Sequence, residues 1–270
     1  MLFASPKLSR TETISCSSCH NPAYAFADPR PVSIGVDSRS GLRNAPSLAN
    51  VGYVPALMRE GGVPTLEMQV LVPFQEHAEF DVNILTVVEK LQADTALSAR
   101  SLRAYGKPLD AFVITRAIAA FERTLISGRS RADLGQLSDV ERSGEQLFRS
   151  ARTGCSSCHA GVLYTNHGYA NNGALRRYAD PGRARLTNKA EDSAVFRIPS
   201  LRNVGVTAPY MHNGSVQTLE EVIATYSSGG YTHRNKDSRI RPLHLSSEEQ
   251  TSIVAFLRSL TDAKFLSQHQ

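Results

Sequence analysis

The sequence contains two short segments of the same form, Cys16-Ser17-Ser18-Cys19-His20 and Cys155-Ser156-Ser157-Cys158-His159. The chain has no other cysteine. In a Cys-x-x-Cys-His motif, the two thiols can add to the two vinyl groups of one haem, and the adjacent histidine becomes the proximal iron ligand. The two motifs therefore predict two covalently bound haem c groups, with His20 and His159 as iron ligands.

Two other chemistries also use paired cysteines. Two Cys-x-x-Cys pairs can form one structural zinc site, and a single pair can act as a redox dithiol. Neither chemistry requires a histidine directly after the second cysteine, whereas both motifs have one. Haem attachment is the favoured interpretation. It converts all four thiols into thioethers and leaves none for a disulfide.

The composition narrows the function classes. A length of 270 residues with 41% hydrophobic and 20% charged residues is ordinary for a globular protein of one or two domains. No apolar run reaches the ~18 residues of a membrane span. The net charge of +5 comes without a basic run, so we expect no nucleic-acid partner.

The haem motifs also bear on localisation. Haem is normally attached to such motifs after export, so we expect a periplasmic protein. The sequence starts without the charged and apolar regions of a signal peptide. We interpret this start as one from which the export signal is missing.

The spacing of the motifs predicts the domain organisation. They lie 139 residues apart, and Leu2-Phe3 before the first is echoed by Leu147-Phe148 before the second. This weak internal repeat predicts two cytochrome c-like lobes with one haem each. We place the amino-terminal lobe at 1–130 and the carboxy-terminal lobe at 131–270, with a boundary in the polar stretch 127–136.

The hydrophobic pattern is that of an all-α protein. One apolar stripe has helical spacing and consists of Ile114, Ala117, Ile118, Phe121 and Leu125. Three capping boxes predict helix starts, and they are Ser138-x-x-Glu141, Thr218-x-x-Glu221 and Ser246-x-x-Glu249. No strand pattern is convincing. The segment 161–194 has little periodicity and is expected to be a long loop that packs on a haem.

Longer motifs accompany the two haem sites. They are Phe3 through His20, Arg43-Asn44-Ala45-Pro46-Ser47-Leu48, Leu66-Glu67-x-Gln69, Pro199-Ser200-Leu201-Arg202-Asn203-Val204, Thr207 through Ser215, and Thr218-Leu219-Glu220-Glu221. In combination they are specific, and nearly the whole chain resembles the bacterial di-haem cytochrome c peroxidases. The resemblance implies that the amino-terminal haem reacts with hydrogen peroxide. It also implies that the second haem passes or stores electrons from a c-type cytochrome, a cupredoxin or an oxidisable substrate.

The resemblance assigns a peroxide pocket to Gln69, Pro73 and Glu79. A carboxylate beside the haem can move the proton that O–O cleavage requires, and a neutral amide can hold the peroxide by hydrogen bonds. His77 is interpreted as a surface residue. Many family members carry a distal histidine before the Arg-Asn-Ala-Pro motif, but the stretch 21–41 has none. We therefore expect the first haem to be open to peroxide.

The identity of the sixth iron ligand strongly affects the reduction potential of the second haem. A thioether raises the potential, whereas a phenolate favours ferric iron. By resemblance the ligand position is Tyr226, as in the MauG-like branch of the family. Met211 is the alternative and is otherwise interpreted as a packing residue. Tyr226 is the preferred ligand.

The resemblance also implies a calcium ion between the lobes. The matching ligands are the side chain of Asn44 and the backbone carbonyls of Thr207 and Pro209. Such oxygens suit a hard cation whose shell is completed by water. The sequence has no acidic calcium loop, so this site is inferred from the resemblance alone.

The chain departs from the family in having no tryptophan. Arg59 stands ten residues before Gln69, where the family usually has a tryptophan between the haems. Thr153 stands where MauG has a surface tryptophan. Both routes for electron hopping are therefore missing. Two other functions remain open: a MauG-like oxidase of a protein or small molecule, and a di-haem electron-transfer cytochrome without catalysis.

Overall fold

The computed structural model describes residues 2–269, and that part of the chain is mainly helical. Its α-helices are α1 (Leu66–Gln69), α2 (Leu71–Gln75), α3 (Ile84–Gln92), α4 (Thr95–Tyr105), α5 (Ala111–Arg123), α6 (Asp139–Arg149), α7 (Ala184–Thr187), α8 (Leu219–Ser228), α9 (Ser247–Ser259) and α10 (Ala263–His269). Two short antiparallel strands, β1 (Tyr169–Ala170) and β2 (Phe196–Arg197), pair with Tyr169 opposite Arg197. Turns and loops connect these elements. No helix within 2–269 is long and apolar enough to cross a membrane.

The three predicted capping boxes are confirmed. Ser138, Thr218 and Ser246 each accept a hydrogen bond from the N–H three residues later, and the glutamate there bonds back to the N-cap. These reciprocal bonds satisfy N–H groups that have no partner within the helix. They fix the starts of α6, α8 and α9.

A first hydrophobic cluster surrounds the buried face of α5. Of the predicted apolar stripe, Ile114, Ile118 and Leu125 are at most 2% exposed and Phe121 packs half-buried against the cluster, whereas Ala117 is also only half-buried. The cluster also contains Phe3 and Phe26 from the amino-terminal segment. Phe265 of α10 joins it from the far end of the sequence and is 1% exposed. The carboxy-terminal helix therefore packs on the amino-terminal cluster.

A second hydrophobic cluster is built from α6, α8 and α9. Gly144 permits the close crossing of α6 and α9, because a Cβ at this position would lie 1.9 Å from the Ser252 carbonyl oxygen. Ile223 of α8 and Ile253 and Leu257 of α9 are buried members of this cluster. A side chain at position 144 would push the two helices apart.

An aromatic triad supports each cluster. Phe3, Phe26 and Phe121 have ring centroids 4.8–6.1 Å apart. Phe148, Tyr164 and Phe256 repeat the arrangement at 5.2–6.3 Å. Such tilted and edge-to-face pairs stabilise a core beyond the area that they bury. The echo of Leu2-Phe3 in Leu147-Phe148 thus reflects a real structural repeat.

A second internal repeat, not predicted above, is evident once the two halves are compared. Pro46-Ser47-Leu48-Ala49-Asn50-Val51 and Pro199-Ser200-Leu201-Arg202-Asn203-Val204 share the pattern Pro-Ser-Leu-x-Asn-Val. Each serine hydroxyl donates to a backbone carbonyl at 2.6 Å, and each asparagine is left-handed with φ near 60°. A direct comparison of the two halves finds this pattern without a structure.

The two asparagines of this repeat meet at one residue. Asn50 exchanges two hydrogen bonds with the backbone of Ser127, and Asn203 donates to the Ser127 hydroxyl at 3.0 Å. Asp262, just before α10, accepts from the N–H groups of Gly128 and Arg129. The start of the predicted boundary stretch is therefore a buried polar junction with defined partners.

The segment 161–194 is largely loop, as expected, with β1 and α7 as its regular elements. Asn171 is 1% exposed and donates to the Ala194 carbonyl at 2.8 Å. Arg183 donates its backbone N–H to the Val195 carbonyl at 2.8 Å. Hydrogen bonds therefore hold this loop in a defined conformation.

Candidate haem sites

Both cysteine motifs open onto one cavity of about 1250 Å³. This volume exceeds the roughly 300–1,000 Å³ of a typical small-molecule site. Each motif begins as a single 3-10 turn, at Cys16–Ser18 and at Cys155–Ser157. In each, the histidine N–H donates to the carbonyl of the first cysteine at 2.9 Å. The same local fold therefore presents both motifs to the cavity.

The imidazole rings of the two motifs are held in the same way. Nδ1 of His20 lies 2.8 Å from the carbonyl oxygen of Phe26, and Nδ1 of His159 lies 3.1 Å from that of Tyr164. A carbonyl can only accept, so Nδ1 carries the proton and Nε2 keeps a lone pair. Burial lowers the pKa of both histidines and favours this neutral form. Each Nε2 therefore has the form that an iron ligand requires.

The four thiols are free of disulfides and belong to different parts of the core. Cys16 packs against the first hydrophobic cluster and Cys155 against the second. Among residues 2–269, no group of three or more His, Cys, Asp and Glu side chains lies close enough together to hold a metal ion. The two pairs do not converge as a shared zinc site would require, whereas two separate haem groups fit them.

The first site comprises His20, Gln69, Pro73, Glu79 and Glu122, all of which line the cavity. Gln69 ends α1, and Pro73 lies in α2. Proline has no N–H to donate to the carbonyl four residues earlier, which here is that of Gln69. This accounts for the break between α1 and α2 at Val70. The Gln-x-x-x-Pro spacing therefore places both residues at a helix kink beside the cavity.

A tight backbone contact holds Glu79 in place. The Val36 N–H donates to the Glu79 carbonyl at 3.0 Å, and Phe80 donates to the Pro73 carbonyl at 3.1 Å. A Cβ on Gly35 would lie 2.6 Å from the Glu79 carbonyl oxygen, so only glycine fits there. Burial and the nearby Glu76 raise the pKa of Glu79 to about 7. The carboxyl can therefore both accept and donate a proton near neutral pH.

Glu122 is a first-site residue that the sequence analysis missed. It lies on α5, is 5% exposed, and its Oε2 has no hydrogen-bond partner among the described residues. Burial raises its pKa to about 7. The charges of Glu122 and Glu79 both act on Cys16 and help to raise the pKa of that thiol, so both carboxyls lie near the first motif. The available signal was a glutamate directly after Phe121, a phenylalanine of the apolar stripe.

His77 lies outside the cavity. Its side chain is 71% exposed, and its Nδ1 contacts Arg39 and Asp81 at 3.0 and 3.1 Å. The surface interpretation of His77 is confirmed. Arg39 donates to the His77 carbonyl and to the Asp81 carboxylate, and these bonds help to fix the loop that carries Glu79.

The second site comprises His159, Asn172, Met211 and Tyr226, which line the same cavity. The side-chain amide of Asn172 donates to the Tyr226 hydroxyl at 3.2 Å and to the Met211 sulfur at 3.4 Å. Both candidate iron ligands therefore meet at one amide. Burial raises the pKa of Tyr226, and the Asn172 bond opposes that shift. Tyr226 lines the same cavity wall as Cys155 and Cys158 of the second motif.

The three residues assigned to calcium all line the cavity. Asn44 donates its backbone N–H to the His212 carbonyl at 2.9 Å, which brings it beside the segment that carries Thr207 and Pro209. The side-chain nitrogen of Asn44 donates to the backbone carbonyls of Asp28 and Arg30, so Oδ1 faces away from these two carbonyls. There, a guanidinium nitrogen of Arg59 lies 3.3 Å from Oδ1 and 2.8 Å from the Asn44 carbonyl oxygen.

Several known proteins resemble this chain in sequence and in fold. The family model described as di-haem cytochrome c peroxidase matches residues 1–139, and a RoxA-like, cytochrome c-like model matches 195–228. The methylamine utilization protein MauG of Methylorubrum extorquens is 30% identical over 96% of this chain and 76% of its own length. The cytochrome c551 peroxidase of Nitrosomonas europaea is 32% identical over 97% and 78%. A MauG-like protein associated with microbial copper homeostasis has a crystal structure that superposes with a TM-score of 0.92, at 33% identity, over 98% of this chain and 88% of that one.

Proposed function

The chain belongs to the di-haem cytochrome c peroxidase family, and on that premise we propose that it reduces hydrogen peroxide at the haem of the first motif. The haem iron, when bound, supplies the electron chemistry of O–O cleavage. The balanced reaction takes two electrons and two protons per peroxide and yields two waters. The observation that carries the proposal is Glu79, a carboxyl with a pKa of about 7 in the cavity of His20.

Glu79 is assigned the proton transfers. Its carboxylate accepts the proton from one peroxide oxygen and returns it to the other oxygen as that oxygen departs. A carboxyl with an ordinary pKa near 4.5 would be a poor donor at neutral pH, whereas one near 7 serves in both directions. The backbone clamp from Gly35 and Val36 holds the carboxyl in position.

Gln69 and Pro73 are assigned positioning roles. The neutral amide of Gln69 can donate to peroxide or to a water without competing for the proton. Pro73 keeps the kink that directs this part of the chain along the cavity wall. Neither residue needs to change its charge during the reaction.

We propose Tyr226 as the sixth ligand of the second haem. Its oxygen lies near the second motif and accepts a hydrogen bond from Asn172, which stabilises the phenolate form. A phenolate favours ferric iron and would suit a haem that stores an oxidising equivalent. Met211 contacts the same amide and is the alternative ligand.

The proposed organisation keeps two haem-binding lobes, 1–130 and 131–270, with α10 returning from the second to pack on the first. The proposed location is the periplasm. The proposed electron donor is a c-type cytochrome or a cupredoxin, and the name cytochrome c551 peroxidase supports a cytochrome as the donor.

A second candidate function is that of a MauG-like oxidase. The observation that favours it is the tyrosine in the cavity wall of the second site, together with the 30% sequence identity to a MauG protein. This candidate takes its electrons from an oxidisable protein or small molecule instead of a cytochrome. Because the chain has no tryptophan, such electrons would have to reach the haems by direct tunnelling or by hopping through tyrosines.

The test is a titration of the fully reduced holoprotein with hydrogen peroxide, followed by haem absorption. We expect each peroxide to remove two electrons, and a reduced c-type cytochrome to restore them. Reduced haems that are untouched by peroxide would exclude both candidates. Haems that react with peroxide but accept no electrons from cytochromes or cupredoxins would favour the oxidase.

A further inference from the structure

Arg59 occupies a central position in the cavity wall. It lies in the short loop that is closed by the β-bridge between Leu57 and Val63. Its backbone carbonyl accepts a hydrogen bond from the Arg197 N–H at 2.7 Å. One terminal nitrogen donates to both the carbonyl and the Oδ1 of Asn44. The backbone and the guanidinium of Arg59 are therefore both held by named partners.

The charge of Arg59 is not balanced within the described residues. The neighbouring Arg43 pairs with the carboxylates of Glu60 and Asp180. Among residues 2–269, the Arg59 guanidinium donates hydrogen bonds to the two oxygens of Asn44 and forms no ion pair with a carboxylate. An arginine side chain stays protonated in a protein, so this positive charge is permanent. A half-buried cation whose Nε is shielded from water and has no anion beside it is costly, so a missing partner is implied.

We propose that the Arg59 guanidinium replaces the calcium ion at Asn44, so that this protein carries a built-in cation where its resemblance implied a bound metal. The juxtaposition that carries the proposal is the contact of Arg59 with both oxygens of Asn44. One of these oxygens is the ligand that the calcium assignment requires. The chain thus supplies positive charge at this point from its own side chain.

Both cations cannot share the position. Calcium binds oxygen at about 2.3–2.6 Å, so an ion on Asn44 Oδ1 would lie within about 6 Å of the guanidinium nitrogen. Two cations that close repel each other, and more strongly at a half-buried site than in bulk water. The amide nitrogen of Asn44 is bonded to the Asp28 and Arg30 carbonyls, so the side chain cannot turn its oxygen away.

The missing anion has a natural source in the cavity. The Nε of Arg59 is buried without a hydrogen-bond partner, and Arg59 lines the cavity. Each haem carries two propionate carboxylates, which are the available counter-ions once haem is bound. This last step rests on the proposed function, whereas the exclusion of calcium rests only on the Arg59–Asn44 contact.

The test is the calcium content of the holoprotein, measured by mass spectrometry of the metals after dialysis, with calorimetric titration of calcium. We expect wild type to contain far less than one calcium per chain and to give no binding heat. Arg59→Gln is expected to bind one calcium, with a rise in melting temperature when calcium is added. Arg197→Gln is the matched control. It removes a neighbouring buried guanidinium but leaves the Asn44 contact, so it should bind no calcium.

Stoichiometric calcium in wild type would overturn the proposal, and this measurement needs no variant to fold. Failure of a folded Arg59→Gln protein to bind calcium would also overturn it, because Arg59 would then not be what excludes the ion. Arg59→Lys keeps the charge and should stay free of calcium. None of these readouts depends on peroxide turnover, so they remain interpretable if the peroxidase assignment fails.

Discussion

The first and second sites are built on one scaffold but lined with different chemistry. Each has a Cys-x-x-Cys-His turn, a histidine bonded to an aromatic residue's carbonyl and a Pro-Ser-Leu-x-Asn-Val segment. In the aromatic triads, Phe121 of α5 corresponds to Phe256 of α9. The next residue along each helix is Glu122 in the first site and Leu257 in the second, and both line the cavity.

The difference shows how one framework can support two haem functions. The first site has two carboxyls with a pKa of about 7 and no side chain assigned to the sixth iron position. The second site has a half-buried phenol and a thioether that both accept from one amide. The roles proposed for the two sites therefore depend on a few side chains, whereas the backbone framework is shared.

The largest effect is expected from removing one haem at a time. With Cys16 and Cys19 both changed to serine, the first haem should be lost, and reactivity with peroxide should disappear. The matched change at Cys155 and Cys158 should leave a first haem that still responds to peroxide. Protein mass gives the haem count, and stopped-flow absorption gives the reactivity. Peroxide reactivity that follows the second motif would reverse the assignment of the sites.

The next effect tests the proton-transfer residue of the first site. Glu79→Gln should lower kcat/KM for peroxide by about 10²–10⁴-fold, the usual contribution of a general acid–base. Glu89→Gln, which changes an exposed carboxyl of α3 outside the cavity, is the control and should retain full activity. In wild type, kcat/KM should rise as pH passes about 7, because the ionised Glu79 accepts the proton. A pH profile unchanged by Glu79→Gln would remove Glu79 from this role.

The second site is tested by exchanging its two candidate ligands. Tyr226→Phe removes the proposed phenolate ligand. The low-spin signal of the second haem should therefore become high-spin, or its g values should shift strongly. Met211→Leu should leave the signal nearly unchanged. Electron paramagnetic resonance of the ferric holoprotein compares the two variants directly. The opposite pattern would make Met211 the ligand and raise the expected potential of this haem.

A stability effect is expected when the first site is made to resemble the second. Glu122→Leu copies Leu257 and removes a buried carboxyl with no described partner. Folding raises the Glu122 pKa from its ordinary 4.5 to about 7, so this group's contribution to stability declines as pH rises through that interval. We expect a gain of about 1–3 kcal/mol at pH 8 and little gain at pH 4.

The measurement for Glu122 is denaturant unfolding of wild type and variant at both pH values. Glu122→Gln separates the charge from the shape, and it should recover part of the gain. A variant that is equally destabilised at both pH values would show that the carboxyl has a partner in the holoprotein.

The smallest effect concerns the amide of the second site. Asn172→Ala removes a hydrogen bond to the Tyr226 oxygen that is worth about 0.5–1.5 kcal/mol. Without this donor the phenolate gives more electron density to ferric iron, so the potential of the second haem should fall by roughly 20–65 mV. Spectroelectrochemical titration measures the shift. A rise, or no change, would show that the bond does not act on the iron ligand.

The sequence predicted those features that depend on neighbours along the chain. The two haem motifs, the helix starts at Ser138, Thr218 and Ser246, and the α5 stripe are local patterns, and the structure shows all of them. Two signals in the sequence were overlooked: the Pro-Ser-Leu-x-Asn-Val repeat and the acidic residue within the α5 stripe.

Other features could not be read from the sequence because they depend on contacts across the fold. Asn172 meets Tyr226 from 54 residues away, and it lies in a loop without periodicity. The position of Arg59 was noticed as a lost tryptophan, but its contact with Asn44 was not foreseeable. The return of α10 to the first cluster likewise depends on the tertiary packing of Phe265. Such contacts are set by packing and charge, not by local pattern.

The most direct test of the account is electron paramagnetic resonance of the ferric holoprotein before and after addition of hydrogen peroxide. The account predicts one high-spin haem, assigned to the first site, and one low-spin haem, assigned to the second. It also predicts that peroxide abolishes the high-spin signal in wild type but does so far more slowly in Glu79→Gln. Two low-spin haems that do not respond to peroxide would contradict the account.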